Sequence, residues 1–184
     1  MSISIKQECQ VEFLRWLAGF WDADGCFSIS LAKQRTANNY LAVKPVVSVG
    51  QRGDHEWIIK YIYKKLGFGR TYLINRGTVI SKATWQTTTI SDSIKIAKML
   101  EPYLLLKKEK AHRFIEALEL WGKSGHISDW RRRSAGKPVR SKEDVLKVVK
   151  IATTLNEDRQ EKRYRKYKRY KEWKKIIVKW YDDN

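Results

Sequence analysis

Cysteine, proline and histidine are all scarce, with 2, 3 and 3 residues among 184. Cys9 and Cys26 are too few for a disulfide framework, and adding His55, His112 and His126 produces no zinc-ligand spacing. Both cysteines are expected to be reduced and structural. The chain has no long apolar run, and its N-terminus has no signal-peptide pattern, so a soluble intracellular protein with no membrane partner is expected. It also has no glycine-rich phosphate loop and no nucleophile elbow, so no ATP chemistry is implied. Acidic residues are short as well: Asp+Glu 20 against Lys+Arg 38 leaves a net charge of +18. Such a field favours a polyanionic partner, chiefly nucleic acid, with an anionic membrane surface as the rival; it says nothing about fold. Hydrophobic content of 42% fits a globular chain, large enough at this length for one domain with a real core. No internal repeat or low-complexity linker is present.

What is present is concentrated in Leu17–Gly25, which reads Leu-Ala-Gly-Phe-Trp-Asp-Ala-Asp-Gly. Val11 to Phe20 has helical spacing, with Val11, Leu14, Leu17 and Ala18 on one stripe and Phe13, Trp16 and Phe20 close by. Ala18, Gly19 and Ala23 leave one flank almost without side-chain bulk, where another backbone could come close. Gly25 supplies a helix stop. Asp22 and Asp24 then fall in the last turn, where the helix dipole disfavours a carboxylate. A residue placed against its local rule points to function. A hard divalent cation would remove the conflict, because carboxylates and helix-end carbonyls are both oxygen ligands for Mg2+ or Ca2+.

Leu17–Gly25 closely resembles the signature of the LAGLIDADG homing endonucleases, with Phe20 and Trp21 as apolar replacements in its variable centre. With one copy of the motif, the chain resembles the single-motif branch, and the resemblance implies a homodimer. Leu17, Ala18, Gly19, Trp21 and Asp22 are then expected at the dimer interface. The same resemblance makes Asp24 the metal ligand, with the Ala23 carbonyl assisting. It matches Gln51 to a water-positioning glutamine and Lys107 to a lysine supporting the transition state. His55 stands where some relatives carry a basic residue. The implied cofactor is Mg2+, with Mn2+ expected to substitute and Ca2+ expected to bind without cleavage. The implied setting is organellar or archaeal.

Past Gly25 the period changes to two. One strand is expected over Phe27–Gln34 and a second over Tyr40–Gln51, with a polar turn at Arg35–Asn39; Pro45 hints at an edge or a bulge. Asp54 is expected to cap a helix with apolar spots at Trp57, Ile58, Tyr61, Ile62 and Leu66, stopped by Gly67. A second hairpin follows near Gly69–Arg76 and Ser81–Ile90, turning around Gly77. Helices are expected from Ser91 to Leu100 and from about Pro102 to Trp121. This order implies an α+β domain with a four-stranded antiparallel sheet.

The hairpins present one polar, basic face. It is either an ordinary solvated face or a ribbon lying in a major groove, where Arg and Lys read guanine, Gln reads adenine and Ser or Thr reads either. The candidate DNA contacts are Ser28, Ser30, Gln34, Lys44, Ser48, Arg70, Tyr72, Arg76, Lys82, Thr84 and Gln86.

Gly122–Pro138 reads as a basic loop, and Ser141 as the cap of a helix through Leu155. In 157–181, Tyr164, Tyr167, Tyr170, Trp173, Ile177 and Trp180 recur at helical spacing within a dense Lys/Arg run. That helix is either docked with solvated charges or laid on DNA phosphates. The division is therefore an endonuclease domain over 1–155 and a basic aromatic helix over 156–184, docked on it. The leading expectation is a homodimeric homing endonuclease acting on double-stranded DNA. The rivals are an RNA maturase that binds intron RNA and a DNA-binding regulator without cleavage.

Overall fold

The first helix, α1, spans Ile5–Asp24 and begins before the expected Val11. The computed structural model describes residues 5–34, 40–76, 79–123, 141–155 and 160–182. The turn expected at 35–39, the hairpin turn at Gly77 and nearly all of the basic loop lie outside these residues. So do the side chains of Gln34, Arg76, Tyr164, Tyr167 and Trp180. Strand β1 (Gly25–Gln34) follows α1 directly, because Gly25 lets the chain pass the Trp21 ring: a Cβ there would sit 2.2 Å from Trp21 Cδ1. Strand β2 covers Tyr40–Arg52. A 3-10 turn (Gly53–His55) leads into α2 (Glu56–Leu66), which Gly67 ends at φ 71°, in the left-handed region.

Strands β3 (Arg70–Arg76) and β4 (Val79–Gln86) form the second hairpin. Helix α3 (Ile90–Leu100), a 3-10 turn (Glu101–Tyr103) and α4 (Lys108–Lys123) follow. The last helices are α5 (Lys142–Thr154) and α6 (Gln160–Asp182). The strand order is β1-β2-β4-β3, and β4 runs antiparallel to both β2 and β3. This is the expected α+β architecture. Among the described residues no helix is long and apolar enough to cross a membrane.

Several local expectations need correcting. Asp54 does not cap α2: His55 occupies the cap position without a side-chain bond, and the Asp54 carboxylate lies 3.3 Å from Arg52 Nη2. The buried face of α2 is Ile59 and Ile62, while Trp57 is 64% exposed, so the apolar stripe lies rotated from the expected one. Strand β4 stops at Gln86 rather than Ile90. Thr87 turns its hydroxyl inward to accept from Val47 N, and Thr89 caps α3 by accepting from Asp92 N. Pro45 lies in β2, an interior strand, but past the end of its β4 ladder, which closes at the Thr87 N to Val47 O bond. It therefore removes no hydrogen bond to β4.

The contacts divide the chain into two units. In the first, 1–27 and 46–112, the buried residues include Leu17, Trp21, Val47, Ile59, Trp85, Ile96 and Leu104. Trp85 joins them edge-on to Trp21, at 5.8 Å between centroids, and donates from Nε1 to Phe68 O. In the second, 28–45 and 113–184, Ile29, Val43, Phe114, Leu118, Val148 and Ile177 are buried. There Ser141 caps α5 as expected, accepting from Asp144 N. α5 and α6 run antiparallel, with Lys142 at the start of one 2.8 Å from Asp182 at the end of the other. Tyr170 and Trp173 are half-buried with Ile177 beneath, while Lys174, Lys175 and Lys179 are exposed.

Candidate functional site

The C-terminal end of α1 is where the sequence-predicted groups meet. Gln51, near the end of β2, donates from Nε2 to Asp24 Oδ2 at 2.6 Å. Asp24 is exposed and Gln51 half-buried, so the pair sits at the surface of the first unit. Lys107 arrives from the other side. Its Nζ donates to the carbonyl oxygens of Trp21 at 2.9 Å, Ala23 at 3.2 Å and Gly25 at 2.9 Å. An ammonium has three protons, and all three are used. Lys107 is thus the cation at the negative end of the helix dipole, a place where α1 itself carries no basic residue. It is not a helical residue, because α4 starts at Lys108.

Burial pushes the Lys107 pKa below the ordinary lysine value, and the charge of Lys110 adds to this; Asp22, Cys26 and Asp24 pull the other way.

Asp22 has a separate task that the sequence did not disclose. Its Oδ2 accepts from Leu105 N at 2.7 Å and Leu106 N at 3.2 Å, and its Oδ1 accepts from Lys107 N at 2.8 Å. The two acids of the motif therefore point to different partners. The conflict with the dipole is answered within the chain, by three amides, one glutamine and one ammonium.

The remaining candidates are placed less closely. His55 Nε2 lies 4.0 Å from Asp54 Oδ2 and is half exposed. Leu17, Ala18 and Trp21 are completely buried in the chain's own core, because their stripe of α1 faces inward; they offer nothing to a partner's surface. Asp22 is half-buried on its three amides. Of the five residues expected at a dimer contact, Gly19 is the one with an open face: nothing lies within 4 Å of a Cβ built there. Glu12, Arg15, Trp16 and Ala23 are exposed with it. Leu105 and Leu106, 87% and 83% exposed, were missed by sequence reasoning. Their only signal is a run of three leucines with no helical period.

The polar sheet face of the first unit forms a grid. Antiparallel register aligns Ser48, Gln86 and Arg70 in one row, Gly50, Thr84 and Tyr72 in the next, and Arg52, Lys82 and Ile74 in a third. Directly paired residues share a face, so six of the candidate DNA contacts (Ser48, Arg70, Tyr72, Lys82, Thr84 and Gln86) lie together. In the second unit Ser30 and Lys44 are exposed and Ser28 half-buried. Gln34 and Arg76 hold strand positions in β1 and β3. Among the described residues, no group of three His, Cys, Asp or Glu is close enough to hold a metal ion.

Residues 17–119 match the family model described as LAGLIDADG endonuclease. The DNA endonuclease I-CvuI of Chlorella vulgaris is 31% identical over 108 residues, covering 56% of this chain and 62% of that protein. The DNA endonuclease I-CreI of Chlamydomonas reinhardtii is 25% identical over 108 residues, covering 59% of this chain and 63% of that protein. The chain thus spans under two thirds of the length of the curated relatives it matches. Among solved structures, the archaeal intron-encoded homing endonuclease I-Vdi141I complexed with DNA superposes with a TM-score of 0.66 at 19% identity, over 92% of this chain and 97% of that one. I-CvuI in complex with its target, in the presence of calcium, gives 0.64 at 19% identity, over 83% of this chain and 85% of that one. These structures show the shared fold, and the match of the family model over more than half of the sequence shows that this chain belongs to the LAGLIDADG endonuclease family.

Proposed function

We propose that the chain is a site-specific homing endonuclease. As a homodimer with Mg2+, it hydrolyses one phosphodiester on each strand of a long, near-palindromic DNA site and leaves short 3′ overhangs at an intron insertion site. The observation that carries this reading is the Asp24–Gln51 hydrogen bond at the exposed end of α1, beside the Lys107 ammonium.

One chain supplies one such group, and cutting both strands needs two. Gly19 supports the pairing. A glycine inside a helix costs about 0.5–1 kcal/mol relative to alanine, and nothing among the described residues fills the space over it. A second copy of α1 laid against that face would use the gap, in a contact where each subunit meets the same surface of the other. Exposed Trp16, Leu105 and Leu106 are apolar surface that such a contact would cover.

The residues present fit a hard cation. Asp24 is exposed, its described hydrogen bond engages only Oδ2, and the Ala23 carbonyl belongs to the residue directly before it. Both are oxygen donors, and the second subunit's copies would complete the set that one chain lacks. Bound there, Mg2+ supplies Lewis-acid stabilisation of the charge that builds on the scissile phosphate. Gln51 fixes the Asp24 carboxylate and has a carbonyl oxygen left to orient water. Lys107 sets a positive charge beside the reacting phosphate. His55 stays with Asp54, outside the proposed reaction. The sheet grid, with Arg70, Lys82, Gln86 and Thr84, reads base edges. In the second unit, Ser28, Ser30 and Lys44 are further candidates for DNA contact.

The test is cleavage of plasmids bearing candidate intron-less sites, in Mg2+ and in Ca2+. Cutting in Mg2+ with binding alone in Ca2+ supports the enzyme. Tight binding of intron RNA with no cutting at any site would replace it with a maturase.

A further inference from the structure

We propose that Asp22 is a positioning residue for this reaction, holding the segment 105–107 so that the Lys107 ammonium stays on the carbonyl end of α1 beside Asp24. The inference rests on the nuclease reading above.

One carboxylate accepts three successive backbone N–H groups from residues 83 to 85 positions away in sequence. Hydrogen bonds from amides to an ionised carboxylate are about twice as strong as neutral ones. The third amide is that of Lys107 itself. Its side chain then returns to the same helix end and donates to the carbonyls on either side of Asp22, those of Trp21 and Ala23, and to Gly25. Backbone and side chain of one residue are thus clamped to the last turn of α1 and the first residue of β1. Burial does not do this work at the middle of the segment, since Leu105 and Leu106 are almost fully exposed. A lysine side chain is long and flexible, so fixing its backbone is what makes one ammonium position favourable.

Two consequences separate positioning from general support of the fold. The Ala23 carbonyl is a proposed metal ligand, so a displaced ammonium changes the charge around that oxygen without removing any ligand. Moreover, Asp22 acts only through Lys107, so its loss has little further effect once the Lys107 charge is gone.

Asp22→Asn keeps the size but has one acceptor oxygen and turns an NH2 towards donors. Asp22→Glu keeps both oxygens and serves as the second variant if the first folds poorly. The first readout is amine acylation of the full chain, resolved lysine by lysine by mass spectrometry. Either variant is expected to raise labelling of Lys107 several-fold while Lys60 and Lys108 stay unchanged. Labelling that rises at every lysine reports unfolding and counts against positioning, as does a Lys107 value that does not move. The second readout is single-turnover cleavage of the target. Asp22→Asn is expected to slow it by about 10–100-fold, the usual effect of losing a partner that orients a site group. DNA affinity stays within about threefold of wild type, an energy change too small for a lost contact. Combined with Lys107→Met, it is expected to fall no further than Lys107→Met alone; additive losses overturn the proposal. A wild type that cuts no site overturns the nuclease reading, and the labelling still decides whether Asp22 holds Lys107.

Discussion

Gln51 donates to Asp24 across 27 positions of sequence, at 2.6 Å, and so ties the end of β2 to the end of α1. The bond fixes the carboxylate without using both of its oxygens. Replacing Gln51 by Leu removes the donor and leaves Asp24 free to turn. Single-turnover cleavage is expected to slow by about 10–100-fold, with DNA affinity nearly unchanged, since the loss is in orientation rather than binding. Filter binding beside a cleavage time course checks both.

Gly19 is open in the isolated chain, so its substitutions act differently on the subunit and on the pair. Gly19→Ala is expected to stabilise α1 by about 0.5–1 kcal/mol. Gly19→Leu is expected to leave the subunit folded but shift it from dimer to monomer in sedimentation velocity, with loss of double-strand cutting. A dimer that survives Gly19→Leu places the contact elsewhere.

Thr87 anchors the fold where β4 ends. Ser93 Oγ donates to Thr89 O, so Thr87 Oγ1 must donate its own proton to Ser93 Oγ, and its lone pair accepts from Val47 N. Thr87 and Ser93 are buried, so Thr87→Val leaves the Val47 amide unpaired in the interior. The expected cost is about 1–3 kcal/mol, read from the midpoint of urea unfolding with an unchanged slope.

Arg70 occupies the row with Gln86 and Ser48. If that row reads bases, Arg70→Ala is expected to cost about 1–3 kcal/mol of DNA binding and to relax preference at one position of the site. Cleavage of single-base variants of the target shows this. A uniform loss across all variants would assign Arg70 to phosphate.

The motif helix, the Gly67 stop, the Ser141 cap and the order of helices and hairpins along the chain were legible in the sequence, because each rests on a local signal; the order of strands in the sheet was not read. The misreadings have physical reasons. Trp57 looks apolar yet lies on the solvent face of α2, because the packing of Ile59 and Ile62 sets which stripe turns inward. The helix expected from Ser91 begins at Ile90, because Thr89 has the extended backbone that a cap requires.

At the site, Asp24, Gln51 and Lys107 were named in advance through the family resemblance that the motif carries. The task of Asp22 could not. Its partners are backbone amides, which no side-chain pattern marks, and they lie at the far end of the first unit's sequence. Leu17 and Ala18 were visible as part of a hydrophobic period, but their assignment, with Trp21, to the chain's own core rather than to a partner needed the position of Trp85.

The most direct test is cleavage of an intron-less target by wild type and by Asp24→Asn, in Mg2+, with DNA affinity measured in Ca2+. Wild type is expected to cut both strands, and the variant is expected to bind within about tenfold of wild type but not to cut, because the loss falls on the transition state. A variant that cuts at the wild-type rate would show that the exposed end of α1 is not where the phosphodiester is broken.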